Sequence, residues 1–244
     1  MSALLKRIVD GRGPRRATAL SVSRSHVGRV RAINEDRVLD AAHAGVWAIV
    51  DGMGGHDGGD LAAQQVVDAL RAAIGGSAQI RPSRVWAALH AAHEAIGQRN
   101  RRLGLNAGAT AVAATLHDDM VEIAWAGDSR AYLLHDGRAE PLTRDHSVVQ
   151  ELIDAGLLTT EAAAAHPQAN VVTRALGIGN LQLERARIPA RGRVLLCSDG
   201  LSRSLRDDDI VASATLTTLA EHLLGRALAR DGTDNVSLVI IDFA

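Results

Sequence analysis

The chain has 244 residues, 47% of them apolar, and 27 Lys+Arg balance 28 Asp+Glu to a net charge of −1. That is enough apolar material for a sizeable core, and nothing in the charge suggests a nucleic-acid or membrane surface. A single cysteine, Cys197, excludes an intramolecular disulfide, and no apolar run approaches the roughly 18 residues that span a bilayer.

Residues 1–17 read as a flexible lead-in. Lys6, Arg7, Arg12, Arg15 and Arg16 are followed by no continuous apolar stretch, so a secretory signal is not expected and the cytoplasm is the default location. Asn34-Glu35-Asp36 stands at the start of an early strand. Val46–Val50 is a short apolar run of buried-strand type that stops at Asp51-Gly52. Helical periodicity covers Gly59–Ile74, ended by Gly75-Gly76, and then Pro82–Leu103, with Pro82 placed in the first turn.

Ala109–His117 and Met120–Ala126 read as strands joined at Asp118-Asp119. Arg130–His135 and Arg138–Leu142 flank Asp136-Gly137, a pair suited to the positive φ that a type I′ turn needs at both positions. Short helices fit Ser147–Ala155 and Thr159–Ala165, a strand Arg193–Ser198, a helix Leu216–Arg230 and a last strand Val236–Asp242. The order does not alternate strictly between strand and helix, which indicates a layered α+β domain over a doubly wound parallel sheet.

Three apolar runs finish on an aspartate: Ala48-Ile-Val-Asp51-Gly52, Ile123-Ala-Trp-Ala-Gly-Asp128 and Val194-Leu-Leu-Cys-Ser-Asp199-Gly200. Asp234 precedes the Val236 strand, and Glu35-Asp36 opens another. Any one of these is explained by a turn preference. Together, acidic ends converging on one rim would be costly to desolvate without cations, and oxygen-only donors select Mg²⁺, Mn²⁺ or Ca²⁺ over zinc.

These residues resemble the metal-dependent protein phosphatases of type 2C in their bacterial form. The likeness is carried by Ser25-His-Val-Gly-Arg-Val-Arg31-Ala-Ile-Asn34-Glu35-Asp36, Asp51-Gly52-Met53-Gly54-Gly55-His56, Gly127-Asp128-Ser129-Arg130, Cys197-Ser-Asp199-Gly200 and Asp234-Asn235. It implies a catalytic domain over 18–244, folded as a four-layer α-β-β-α sandwich of two antiparallel sheets packed face to face. Thr143-Arg-Asp-His146-Ser through Thr173-Arg-Ala-Leu-Gly177 matches the family's flap, over 143–177.

The resemblance also implies roles. Asp51 would bridge two core Mg²⁺ or Mn²⁺ ions, Glu35 and the Gly52 carbonyl would complete one site, and Asp199 with Asp234 would hold the other. Asp128, with Asp199, resembles the ligands of a third ion, and Asp36 stands behind Glu35. Arg31 resembles the arginine that grips the substrate phosphate, as a guanidinium fork suits. A metal-bridging hydroxide would attack phosphoserine or phosphothreonine directly. His56 is the candidate proton donor, although the family's eukaryotic members carry their histidine where this chain has Met53. At Gly108-Ala109-Thr110 the family usually has Gly-Thr-Thr.

Expected partners are phosphorylated proteins, among them a bacterial Ser/Thr kinase and its substrates, with no nucleic acid or membrane and with the chain a monomer. Two other readings stand beside this one. A catalytically inactive relative would only bind partners, but it should lack metal carboxylates. A Cys197-dependent phosphatase is suggested by the Cys-x5-Arg spacing from Cys197 to Arg203, against which Asp199 places a negative charge inside the would-be anion loop.

Overall fold

The computed structural model describes residues 18–54, 58–163 and 165–243. The expected lead-in over 1–17 lies outside them. In the third strand, β3 (Val46–Met53), alternate residues serve different layers, as the two-residue period of a strand dictates. Val46, Ala48 and Val50 pack toward helices, while Trp47 and Ile49 pack toward a second sheet. Because both faces are covered, the run reads as continuously apolar.

One sheet has the order β2 (Asp36–Ala41), β3, β4 (Gly108–His117), β5 (Met120–Ala126), β8 (Glu184–Pro189). The other runs β1 (Ala19–His26), β10 (Val236–Phe243), β9 (Gly192–Cys197), β6 (Arg130–His135), β7 (Arg138–Pro141). All neighbouring strands are antiparallel. Between the sheets lie Trp47, Ile49, Val112, Ile123, Leu196 and Val239, all fully buried. Each such Val, Leu or Ile side chain contributes about 1.5–3 kcal/mol relative to exposure.

Helices α1 (Gly59–Ile74) and α2 (Pro82–Leu103) cover the first sheet through Ala62, Val66, Leu70, Leu89 and Ile96. Helix α6 (Leu216–Arg230) covers the second through Leu219, Leu223 and Ala227. The result is the four-layer α-β-β-α sandwich. Short helices α3 (Val148–Asp154) and α4 (Thr160–Ala163) lie in the 143–177 segment, and α5 (Asp199–Ser202) is a single turn after β9.

The three long helices keep the bounds expected from periodicity and stop signals. Asp136 and Gly137 have φ of 48° and 71°, as a type I′ hairpin demands. The short helices are shorter than expected: Ser147 is the N-cap of α3, its hydroxyl accepting from the Gln150 amide at 3.3 Å, and α4 begins after Thr159. Among the described residues no helix is long and apolar enough to cross a membrane.

Candidate metal centre

Strand register brings the acidic ends together. Asp51 continues the inter-sheet phase of Trp47 and Ile49 to the end of β3, where it pairs with Asp36 on one side and Thr110 on the other. Glu35 precedes β2, and its backbone is held twice. Its amide donates to Asn235 Oδ1 at 2.8 Å, and its carbonyl accepts from the Gly52 amide at 3.3 Å. The Asn235 side chain also donates to the Val27 and Ile33 carbonyls at 2.9 and 3.0 Å, which fixes the Arg31–Glu35 loop beside Asp234.

Glycines let these segments touch. A Cβ on Gly59 would lie 2.4 Å from Glu35 Oε1, and one on Gly200 would lie 2.1 Å from the Asn235 carbonyl oxygen. On the far side, Gly127 has φ of 106° and presents Asp128; its amide donates to His146 Nδ1 at 3.1 Å. His146 is buried, stacks on Trp125, and brings its Nε2 to 3.2 Å from Glu184 Oε1.

Arg31, Glu35, Asp51, Asp128, Asp199 and Asp234 line one cavity of 250 Å³, whose wall also includes Gly52. Burial raises the Asp51 carboxyl well above the usual range, and the charges of Asp36, Asp199, Asp128 and Asp234 raise it further. Burial also pushes Asp36 and Asp128 up to about 7, with Asp199 adding to both. Glu35 and Asp199 are raised for the same first reason, each opposed by an arginine, Arg31 and Arg203 respectively. A basin in which Glu35, Asp51, Asp128 and Asp199 resist ionisation is one that a cation would stabilise.

Whether divalent ions fit is decided by the donors. Glu35 Oε1 and Asp199 Oδ1 are buried without a hydrogen-bond partner, which is unfavourable for a carboxylate unless a cation or ordered water meets it. All the donors are oxygen, the chemistry of Mg²⁺ and Mn²⁺. The residues fit. Among the described residues no three His, Cys, Asp or Glu side chains gather into a metal-binding group. Two arginines hold Asp199 and Asp234 instead: Arg203 Nη2 donates to Asp199 Oδ2, and Arg31 Nη2 donates to Asp234 Oδ2 at 2.9 Å.

The structure thus brings together Arg31, Glu35, Asp51, Gly52, Asp128, Asp199 and Asp234. His56 lies outside the described residues. Asp36 sits behind the cavity, accepting from Ser198 Oγ at 2.8 Å. Ala109 is buried in the helix-facing core, away from the inter-sheet phase of Thr110. Cys197 is fully buried against Leu195, Leu201 and Leu219, and burial pushes its thiol far above the ordinary range, so it offers no nucleophile.

Sequence reasoning did not find Asn235 as the staple, Gly59 as the contact under Glu35, or Arg203 as a partner of Asp199. For Arg203 a signal existed, since it stands four residues after Asp199 and one helical turn places both on one face.

Residues 19–152 match the family described as Protein phosphatase 2C. The chain is 37% identical over 231 residues to "Serine/threonine protein phosphatase PstP" of Mycobacterium tuberculosis, covering 90% of this chain and 44% of that protein. The chain thus spans less than half of that relative's length. It is 31% identical over 241 residues to "Serine/threonine phosphatase stp" of Listeria welshimeri, covering 90% of this chain and 94% of that one. A solved catalytic domain of PstP, in complex with two manganese ions, superposes with a TM-score of 0.82 at 32% identity, covering 93% of this chain and 99% of that one.

Proposed function

Because the chain belongs to the protein phosphatase 2C family, we propose that it is a Mg²⁺- or Mn²⁺-dependent phosphatase that hydrolyses phosphoserine and phosphothreonine in proteins. The observation that carries this reading is the cavity lined by Glu35, Asp51, Asp128, Asp199 and Asp234, with two of its carboxylate oxygens buried and unpartnered.

Asp51 would bridge two ions, with Glu35 and the Gly52 carbonyl completing one site, Asp199 and Asp234 the other, and Asp128 with Asp199 serving a third. When bound, the ions supply positive charge against the phosphate oxygens and make a coordinated water acidic enough to attack near neutral pH. Arg31 is half exposed at the cavity rim, and its second guanidinium nitrogen leaves it able to pair with phosphate oxygens. Water forms the new P–O bond, the bond to the serine or threonine oxygen breaks, and that oxygen takes a proton, for which His56 is the proposed donor.

Its substrates are phosphorylated proteins, with a bacterial Ser/Thr kinase and the targets of that kinase as the physiological set, and it acts as a monomer in the cytoplasm. Family analogy supports that part. The test is hydrolysis of p-nitrophenyl phosphate and a phosphothreonine peptide with Mn²⁺, with EDTA, and in Asp199→Asn and Cys197→Ser. Activity that needs Mn²⁺, falls at least 100-fold in Asp199→Asn and survives Cys197→Ser supports the reading. Activity that persists in EDTA defeats it. A kinase that stays phosphorylated while other phosphoproteins are cleaved defeats the kinase assignment alone.

A further inference from the structure

We infer that Arg203 is a built-in cation of the metal centre, which competes with divalent ions for Asp199 and Asp234 and sets how tightly the centre holds them. The inference rests on the metal-dependent reading above.

Asp199 opens the single turn α5, and the Arg203 amide closes that turn onto the Asp199 carbonyl at 3.0 Å. The two side chains therefore share a face, and Arg203 Nη2 donates to Asp199 Oδ2. Arg203 Nη1 also comes within 3.9 Å of Asp234 Oδ2, the same oxygen that Arg31 Nη2 reaches at 2.9 Å. Two guanidiniums thus converge on the pair of carboxylates proposed to hold one core ion.

A guanidinium is charged at every accessible pH and only donates hydrogen bonds. An ion entering between Asp199 and Asp234 meets the unpartnered Asp199 Oδ1, but it shares that carboxylate with Arg203, which holds Oδ2, and must accept a like charge beside it. Arg31 reaches Asp234, and among the described residues Arg203 is the arginine paired with Asp199. Arg130, which lines the neighbouring cavity, is committed to Asp145 through two hydrogen bonds of 2.7 and 2.6 Å. Arg203 has somewhere to go, because it lines both the metal cavity and an adjoining cavity of 360 Å³ beneath the 143–177 segment. Asp128 lies on the wall of both and is already influenced by the Arg203 charge. Opening the Asp199 contact frees Asp199 Oδ2, withdraws the like charge and leaves the guanidinium beside Asp128.

The side chain is about one-third exposed, so solvent screens part of the effect. We expect removal of the charge to tighten divalent-ion binding roughly three- to tenfold. The experiment is calorimetric titration of Mn²⁺ into EDTA-treated, desalted wild type, Arg203→Gln, Arg203→Met and Arg203→Lys, with circular dichroism to confirm folding. Arg203→Gln and Arg203→Met binding Mn²⁺ more tightly than wild type, with Arg203→Lys within about twofold of it, supports the inference. A residue that merely braces the turn would give equal or weaker binding in all three, and that result overturns it. If Arg203→Gln does not fold, Arg203→Met decides by the same criterion. Wild type that binds no Mn²⁺ overturns the metal-dependent reading and this inference with it, whereas wild-type binding left unchanged by the neutral variants overturns the inference alone.

Discussion

Asp36 stands directly opposite Asp51 across the β2–β3 ladder, two carboxylates at a position where like charges oppose pairing. Asp36 is held from the other sheet, where Ser198 Oγ donates to it and in turn accepts from the Ser237 amide at 3.0 Å. This chain of contacts joins β2, β9 and β10 behind the cavity.

Asp36 is therefore a strained charge whose amide would keep the contact. With a folded pKa near 7 against 3.8 for the ordinary carboxyl, the folded chain binds a proton more tightly than the unfolded one, so stability falls as pH rises across that interval. In EDTA, Asp36→Asn should gain on the order of 1–2 kcal/mol at pH 8 and visibly less at pH 5. Urea melts at the two pH values check this, and a gain that is equal at both would contradict it.

In the proposed metal centre the same protons would govern ion binding. Asp128 is pushed up to about 7, and Asp51, Asp199 and Glu35 are raised as well, so in the proposed centre these groups would have to release protons before serving as ligands. Affinity for Mn²⁺ should rise at least tenfold between pH 6 and pH 8, an expectation of order 1.4 kcal/mol, with protons released into the buffer. Calorimetry in buffers of different ionisation enthalpy measures that release. Asp128→Asn should flatten the profile, and a profile unchanged in the variant would remove Asp128 from the ion-binding set.

Much of this centre was legible in the sequence, for a physical reason. Asp51, Asp128 and Asp199 end apolar strands, where a turn residue and a ligand share one signature, and only their recurrence separates the two. The strands Ala19–His26 and Glu184–Pro189 were not legible. Both are edge strands with few large apolar residues, the first rich in Ser and the second in Arg, and Leu20 is 73% exposed. Their polar outer positions blur the alternation that marks a half-buried strand. Gly59 could not be read either, because its importance lies in a contact with Glu35 from a different element.

That contact gives a further expectation. A methyl group on Gly59 would sit 2.4 Å from Glu35 Oε1 and 2.9 Å from the Gly52 carbonyl carbon, so both must move. Gly59→Ala should weaken Mn²⁺ binding about tenfold and cost roughly 1–3 kcal/mol of stability, as overpacking does. The two readouts, titration and a chemical melt, separate the site from the fold. Binding equal to wild type would mean that Glu35 can retreat without loss and is not a ligand.

Asp209 is a carboxylate of a different kind, and its loss should disturb the fold and not the chemistry. Its side chain is 2% exposed, yet it accepts from Arg226 Nε at 3.1 Å, from Arg230 Nη2 at 3.0 Å and from the Arg206 amide at 3.0 Å, with Arg230 Nη1 a further partner. Burial acts to raise its pKa, but the hydrogen bonds from Arg230, the Arg206 amide and Arg226 outweigh it and hold the carboxyl below the usual range. A depressed folded pKa contributes stability that is present above the ordinary value of 3.8 and is lost as pH falls through the folded value. Asp209→Asn leaves Arg226 without its counter-charge and Arg230 with only the exposed Asp208 at 3.8 Å, and should cost about 3–5 kcal/mol at pH 7. Phosphatase activity per folded molecule and Mn²⁺ affinity should stay at the wild-type level, since Asp209 does not line the metal cavity. A urea melt paired with a metal titration checks both halves, and weakened metal binding without loss of stability would show that the Asp209 cluster acts on the centre after all.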